Sequence, residues 1–270
     1  MSGAPRLDVR LISWLLLMPS TAEAQVLLPS YRMVTRDFDV ITGANGTLQH
    51  LFTIPNMPVY MGVAPHSLQP ENDMFADMSW HVSTDTGMGQ MNPLVPLEYV
   101  YLQQHNAVVG VTWTKHHDAF AKLVASVRPA HVLEVGGGHG YLAMKLLNAG
   151  AVALWTMVDP NPLSLVMVPG LTVRREYFEQ MQELPEGVDT VVHSHLLEHI
   201  YDPARFFSKL AALLPMGGHH IFSVPDLMEL ARLNAPCIHF EHTLLLGDRL
   251  LDALLRQHGF QTLQKIRLNP

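Results

Sequence analysis

The spacing of apolar residues changes character near residue 110. From residue 31 to about 107 they fall in short runs, Leu48 to Ile54 and Val59 to Val63. Turn signals interrupt them at Thr42-Gly43, Asn45-Gly46 and Thr86-Gly87-Met88-Gly89. Runs of that length between glycine turns predict small strands. From Trp113 to Val127 the pattern turns helical, with Phe120, Leu123, Val124 and Val127 recurring on one face. Compact apolar runs then alternate with helical stretches. Strands are predicted near Val132 to Val135, Leu154 to Val158, Leu171 to Arg174, Asp189 to His193 and His220 to Val224. Helices are predicted near Tyr141 to Asn148, Pro203 to Leu214 and Gly247 to His258. Gly259 reads as a helix stop, and Gln261 to Arg267 as a last strand. Such alternation predicts an α/β domain over 108–270, built on a doubly wound, mainly parallel, Rossmann-like sheet. A small irregular, β-rich lobe over 31–107 precedes it.

The chemistry gathers where the first strand of that domain ends. Residues 131–140 read HVLEVGGGHG, with Gly136, Gly138 and Gly140 on a two-residue spacing before a helix. A strand that breaks into a glycine turn and opens a helix is where doubly wound folds bind nucleotides, because a Cβ would block close approach. Glu134 sets this loop apart. Its carboxylate would repel a pyrophosphate but suits a cationic ligand, and S-adenosylmethionine (SAM) carries an ammonium, a sulfonium and no phosphate. The second strand ends at Asp159 in MVDPNP, about 20 residues past the loop, where an acid reaches ribose hydroxyls. Asp-Pro is also an ordinary turn opener.

Composition narrows the field. The chain has 270 residues, 48% hydrophobic, enough for one large domain or one and a half. The net charge of −7, with no basic run, speaks against a nucleic-acid partner. Cys237 is the single cysteine, so a cysteine-rich zinc site is not expected and a reducing compartment fits. At the N-terminus, Leu11 to Met18 is apolar, follows Arg6 and Arg10, and precedes Ala22-Glu23-Ala24, an outline of a signal peptide. The run is too short to span a bilayer. Asp8 and an intracellular cofactor favour a cytoplasmic protein with an apolar leader over 1–30. The expected partner is a small-molecule acceptor, with no nucleic acid, no membrane, and a homodimer left open.

The segment Val132 to Asn161 resembles motifs I and post-I of class I SAM-dependent methyltransferases. VDTVVHSHLLEHIYDP (188–203) and LLPMGGHHIFSVPD (213–226) resemble that class's fourth and fifth strands. NMPVYMG, Phe75-Ala76-Asp77-Met78, Gly89-Gln90-Met91, PLEYVY and His116-His117 resemble a subgroup with a small N-terminal zinc-binding domain, which includes sugar C-methyltransferases. That subgroup uses two C-x-x-C-G knuckles; here the matching stretches are Asp39 to Gly43 and Ser83 to Gly87, with no cysteine. The lobe is therefore expected to hold without metal, through Phe52, Ile54, Val59, Tyr60 and Trp80.

The resemblance implies SAM as cofactor, S-adenosylhomocysteine as product, and no metal. It implies cofactor contacts from Glu134, Gly136, Gly138, Gly140 and Asp159, with Tyr177, Phe178 and His193 beside them. His193/His195 and His195/His199 also have metal-ligand spacings; the resemblance favours a pocket-lining role. His219 and His220 read as structural, and His116 and His117 as a solvated helix face. Tyr101, His105, Asn106 and His195 are expected at the acceptor. Related sugar C-methyltransferases carry a Glu-His pair whose histidine is the base, matching Glu241-His242; His199 is the reserve. The expected function is methyl transfer to a small, sugar-derived or nucleotide-linked acceptor in polysaccharide or natural-product biosynthesis. The alternatives are an NAD-dependent oxidoreductase, disfavoured by Glu134, and a non-catalytic partner subunit of the same fold.

Overall fold

The computed structural model describes residues 32–60, 74–101, 110–162, 168–233 and 238–267. The apolar leader, most of the run Val59 to Val63, Cys237, and the acceptor candidates His105 and Asn106 lie outside the described residues. In chain order the elements are β1 (Leu48–Pro58), β2 (Phe75–Ser83), β3 (Gly89–Met91), α1 (Leu97–Val100), α2 (Val111–Ser126), β4 (His131–Val135), α3 (Tyr141–Asn148), β5 (Leu154–Val158), β6 (Leu171–Arg174), β7 (Thr190–Ser194), α4 (Pro203–Leu213), β8 (His219–Ser223), α5 (Leu227–Arg232), β9 (Leu244–Leu245) and α6 (Asp248–Gln257).

The central sheet is parallel, in the order β6-β5-β4-β7-β8. All of β4 is buried because helices cover both faces. Its side chains alternate between two cores. Val132 joins Phe120, Val124, Leu142 and Leu146 of α2 and α3. Leu133 and Val135 join Phe206 and Leu210 of α4 and Leu254 of α6. Helix α4 starts on Asp202, whose carboxylate accepts from Arg205 N–H at 2.9 Å, with Pro203 in the first turn.

The expected strand Gln261 to Arg267 does not form; those residues are exposed and unpaired with either sheet. Helix α6 buries Leu251, Leu254 and Leu255 and turns its acids outward. Asp252 holds Lys265 at 2.7 Å and Asp248 holds Arg267 at 2.9 Å.

The N-terminal lobe is antiparallel, in the order β1-β2-β3-β9. Val59, Met74, Met78, Trp80, Met91, Leu94 and Phe240 fill its core, with Ile54 and Tyr60 packed against it. Phe52, expected in that core, is 39% exposed because β1 is a largely exposed edge strand with a register shift between His50 and Phe52. The two turns that stand where knuckles would be are tied to each other. Asp39 Oδ1 accepts from Ile41 and Thr42 N–H at 2.6 and 3.1 Å. Ser83 Oγ accepts from Asp85 and Thr86 N–H at 3.2 Å each. Thr86 Oγ1 donates to Asp39 Oδ2 at 2.6 Å. Burial raises the Asp39 pKa, but hydrogen bonds from Ser83, Thr86 and the backbone outweigh it and hold the carboxyl below its ordinary value.

Strand β9 comes from the far end of the chain, so the lobe's sheet is closed by residues that follow the central sheet. Arg36 fastens this join. Its buried guanidinium donates to the Thr243, Met91 and Tyr201 carbonyls at 2.7, 2.8 and 3.1 Å. Burial lowers its pKa to about 9, against the opposing pull of Tyr201 and Asp202.

Candidate functional site

From β4 the chain winds outward through β5 and β6, then crosses to β7 on the other side of β4. The carboxyl ends of β4 and β7 are therefore the switch point, where open α/β sheets bind ligands. Two segments diverge there, the glycine loop after β4 and residues 195–199 after β7. They are close: a Cβ on Gly136 would lie 3.1 Å from Leu196 Cδ1.

Gly136, Gly138 and Gly140 have φ of 72°, 47° and 62°, a region that favours glycine. Gly137, outside the two-residue spacing, is confined by the side chains beneath it. A Cβ there would lie 2.4 Å from Met157 Sδ and 2.9 Å from Glu134 Cδ. Glu134 sits beneath the loop, buried, with Oε2 accepting from Trp155 Nε1 at 2.9 Å. Burial raises its pKa to about 7, against the Trp155 hydrogen bond and with the help of Asp159. Asp159 is also buried. Its Oδ2 accepts from Gly138 N–H and its Oδ1 from Asn161 N–H, both at 2.8 Å, so it braces the loop from the end of β5. Phe178 is a core residue, its ring 5.1 Å from that of Phe206. Tyr177, half-buried, is the aromatic of this pair that reaches the surface.

The histidines at the end of β7 divide because the strand stops at Ser194 and His195 turns away with a positive φ. His193 points into the core, stacked on Phe222 and edge-on to Phe206, and burial, then His220 and His195, drive its pKa well down. His195 is on the other side, edge-on to Trp113 at 4.8 Å and to His116 at 4.9 Å. The two cannot share an ion. His195 has a φ of 51°, a strained conformation that clusters at functional sites. His116 and His117 are half-buried rather than a solvated face. His116 Nε2 lies 2.9 Å from Ser194 Oγ, which also meets Ser223 Oγ at 2.9 Å. His117 stacks on Trp113. Burial, then His117, lowers the His116 pKa to about 4. Helical spacing cannot show this, because the contact is with a strand end almost eighty residues away.

A second group forms where the turn Leu197–His199 meets the loop before β9. Thr243 N–H donates to the Glu198 carbonyl at 2.8 Å and joins the two segments. His199 Nδ1 lies 2.8 Å from Tyr101 Oη and 3.9 Å from Glu241 Oε2, and its Nε2 lies 3.7 Å from Glu198 Oε1. The His242 ring is 5.2 Å from that of His199 and 3.8 Å from that of His239. Glu198, His199 and His242 each bring a ligand-type atom within 4.8 Å of the others. Burial raises Glu198 to about 8. Burial, then His242, His239 and His195, push His199 well below its ordinary range. Tyr101, His199, Glu241 and His242, which the sequence alone assigns separately, thus lie together. Glu198 and His239 join them; no periodicity marks either residue for this place.

A family model for a methyltransferase domain matches residues 112–265. Ubiquinone biosynthesis O-methyltransferases of Yersinia pestis (strain Pestoides F) and Yersinia pseudotuberculosis serotype O:1b (strain IP 31758) are each 33% identical over 99 residues, 34% of this chain. The chain spans 41% of the length of these curated relatives in the match. Among solved structures, N-methyltransferase NodS from Bradyrhizobium japonicum WM9 matches with a TM-score of 0.40 at 17% identity, over 54% of this chain and 82% of that one. Mycolic acid cyclopropane synthase CmaA1, complexed with SAH and CTAB, matches with a TM-score of 0.43 at 17% identity, over 57% of this chain and 64% of that one. Among the described residues no helix is long and apolar enough to cross a membrane.

Proposed function

The chain belongs to the methyltransferase-domain family, and on that premise we propose that it transfers a methyl group from SAM to a small acceptor carrying hydroxyl or carbonyl oxygens, sugar-derived or nucleotide-linked, by C- or O-methylation in a biosynthetic pathway. The observation that carries this reading is the meeting, at the sheet's switch point, of an acid-backed glycine loop with a segment rich in histidine and glutamate. The residues present fit the donor. Positive-φ glycines at 136, 138 and 140 let the loop backbone approach a ligand closely, and the buried acids Glu134 and Asp159 behind it suit an ammonium and a sulfonium better than a pyrophosphate. When bound, SAM supplies an electrophilic methyl group. In this reading Gly136, Gly138 and Gly140 accommodate its methionine part, Asp159 takes the ribose, and Tyr177 flanks the base.

The acceptor is given to Tyr101, His195, His199, Glu241 and His242. Burial disfavours the charged form of His199, so its ring stays neutral and serves the acceptor as a hydrogen-bonding group. The Glu241-His242 pair remains the assigned base. The printed name of the curated relatives, O-methyltransferase, supports an acceptor oxygen.

Calorimetry with SAM and with NAD tests the cofactor. SAM should bind and NAD should not. Asp159→Ala should weaken SAM about ten- to a hundredfold, the equivalent of about 1.5–3 kcal/mol for a hydrogen-bonded charged group. Unchanged SAM affinity in that variant removes the ribose assignment. Methyl transfer from labelled SAM to a panel of nucleotide sugars and hydroxylated aromatics then identifies the acceptor class.

A further inference from the structure

Glu198, His199 and His242 reach a common point from two segments. The first two lie on the turn after β7 and the third on the loop before β9, and the three ligand-type atoms lie within 4.8 Å of one another. Backbone hydrogen bonding from Thr243 to Glu198 fixes the segments against each other. Glu198 is 2% exposed.

Two observations point to a ligand here. Both carboxyl oxygens of Glu198 are buried without a hydrogen-bond partner among the described residues. An unpartnered buried carboxyl is costly, and native structures keep one where something else satisfies it. His199 is also oriented. In the tautomer whose Nδ1–H donates to Tyr101 Oη, 2.8 Å away, the ring's lone pair is on Nε2, facing Glu198 Oε1 at 3.7 Å. That gap is too long for a hydrogen bond. It matches two donors on one ion, each about 2.0–2.2 Å from the metal. A ring whose other nitrogen is tied to a neighbouring group is the arrangement metal-binding histidines use.

We propose that Glu198, His199 and His242 bind one divalent first-row transition ion. Two imidazoles and a carboxylate suit zinc or iron(II) better than magnesium, which prefers oxygen ligands and water. His239, packed on His242 with its buried Nδ1 lacking a partner among the described residues, backs the site. Three protein ligands leave a coordination position open. The role of that position rests on the methyl-transfer reading and replaces the base role given there to His242, whose lone pair the ion takes: it holds an acceptor oxygen and lowers its pKa. The binding of the ion does not rest on that reading.

The test uses untagged full-length protein, stripped with chelator and titrated with Co²⁺ in the absence of SAM. One Co²⁺ per chain should be retained through gel filtration, with visible ligand-field bands that Zn²⁺ abolishes. Glu198→Gln, nearly isosteric, should weaken Co²⁺ at least about a hundredfold, beyond what the loss of a supporting residue costs. His242→Asn, judged by the same bands, is the second variant should the first fail to fold. His50→Ala, on the exposed lobe surface, should bind as wild type. Absence of retained ion, or bands unchanged in both site variants, overturns the site. If SAM binds and methyl transfer proceeds with no ion retained, the ion site falls and the methyltransferase reading stands. If the ion binds through these residues and no methyl is transferred, the site stands and that reading falls.

Discussion

At the scale of single residues, burial decides what the histidines do. His220 is enclosed by His193, Phe207, Phe222 and Phe260, and burial lowers its pKa to about 3. The folded protein keeps this ring neutral down to that pH, while the unfolded chain protonates it below about 6.5. The unfolded state binds more protons between those limits, so stability is present above about pH 6.5 and is lost as pH falls toward 3. Each such ring contributes a slope of up to about 1.4 kcal/mol per pH unit. Denaturant titrations from pH 7 to 4 should show His220→Phe less acid-sensitive by about that slope; parallel profiles would mean that His220 protonates in the fold. His242 belongs to the other class, at the site. His242→Ala should keep SAM affinity and lose at least about a hundredfold in turnover, read as calorimetry against labelled methyl transfer. Gly136, Gly138 and Gly140 were legible in the sequence, since their spacing advertises a loop. Gly137 was not, because its constraint is the Met157 and Glu134 side chains beneath it.

At the scale of elements, period and punctuation located most of the central sheet. Strands such as Leu154–Val158 and the helix Tyr141–Asn148 fall where apolar runs and helical spacing put them. The segment Gln261 to Arg267 is the instructive exception. Its apolar residues Leu263 and Ile266 do not alternate and stay exposed, and its Lys265 and Arg267 pair with Asp252 and Asp248 of α6. The paired turns of the lobe show side chains linking what pattern alone leaves as two loops. Asp39→Ala removes the acceptor for Ile41, Thr42 and Thr86 together. It should cost about 1–3 kcal/mol, with hydrogen-exchange protection lost first at 39–43 and 83–88. Uniform loss across the central sheet would show instead that the two turns do not unfold as a local unit.

At the scale of the whole molecule, the lobe and the central sheet are one structure, because β9 completes the lobe's sheet and Arg36 binds across the join. Arg36→Met removes the guanidinium donor from the Met91, Tyr201 and Thr243 carbonyls, of which Thr243 keeps the bond from Met91 N–H at 2.9 Å, and should destabilise by about 1–3 kcal/mol. The loop before β9 carries Glu241 and His242, so that variant should also lower turnover more than SAM affinity. Equal losses in both, or neither, would separate the lobe from the acceptor side of the site.

The sequence by itself determined the α/β class and the place of the glycine loop with Glu134 and Asp159 beside it. Each of these depends on local pattern: apolar period, turn chemistry, or a motif within one segment. Only the tertiary structure decided that His193 is core while His195 faces Trp113, that Tyr101 meets His199, that β9 crosses into the lobe, and that Glu198, His199 and His242 converge. Those facts depend on contacts between residues far apart in the chain, where burial and hydrogen-bond satisfaction, rather than local spacing, set which side of each element a residue faces.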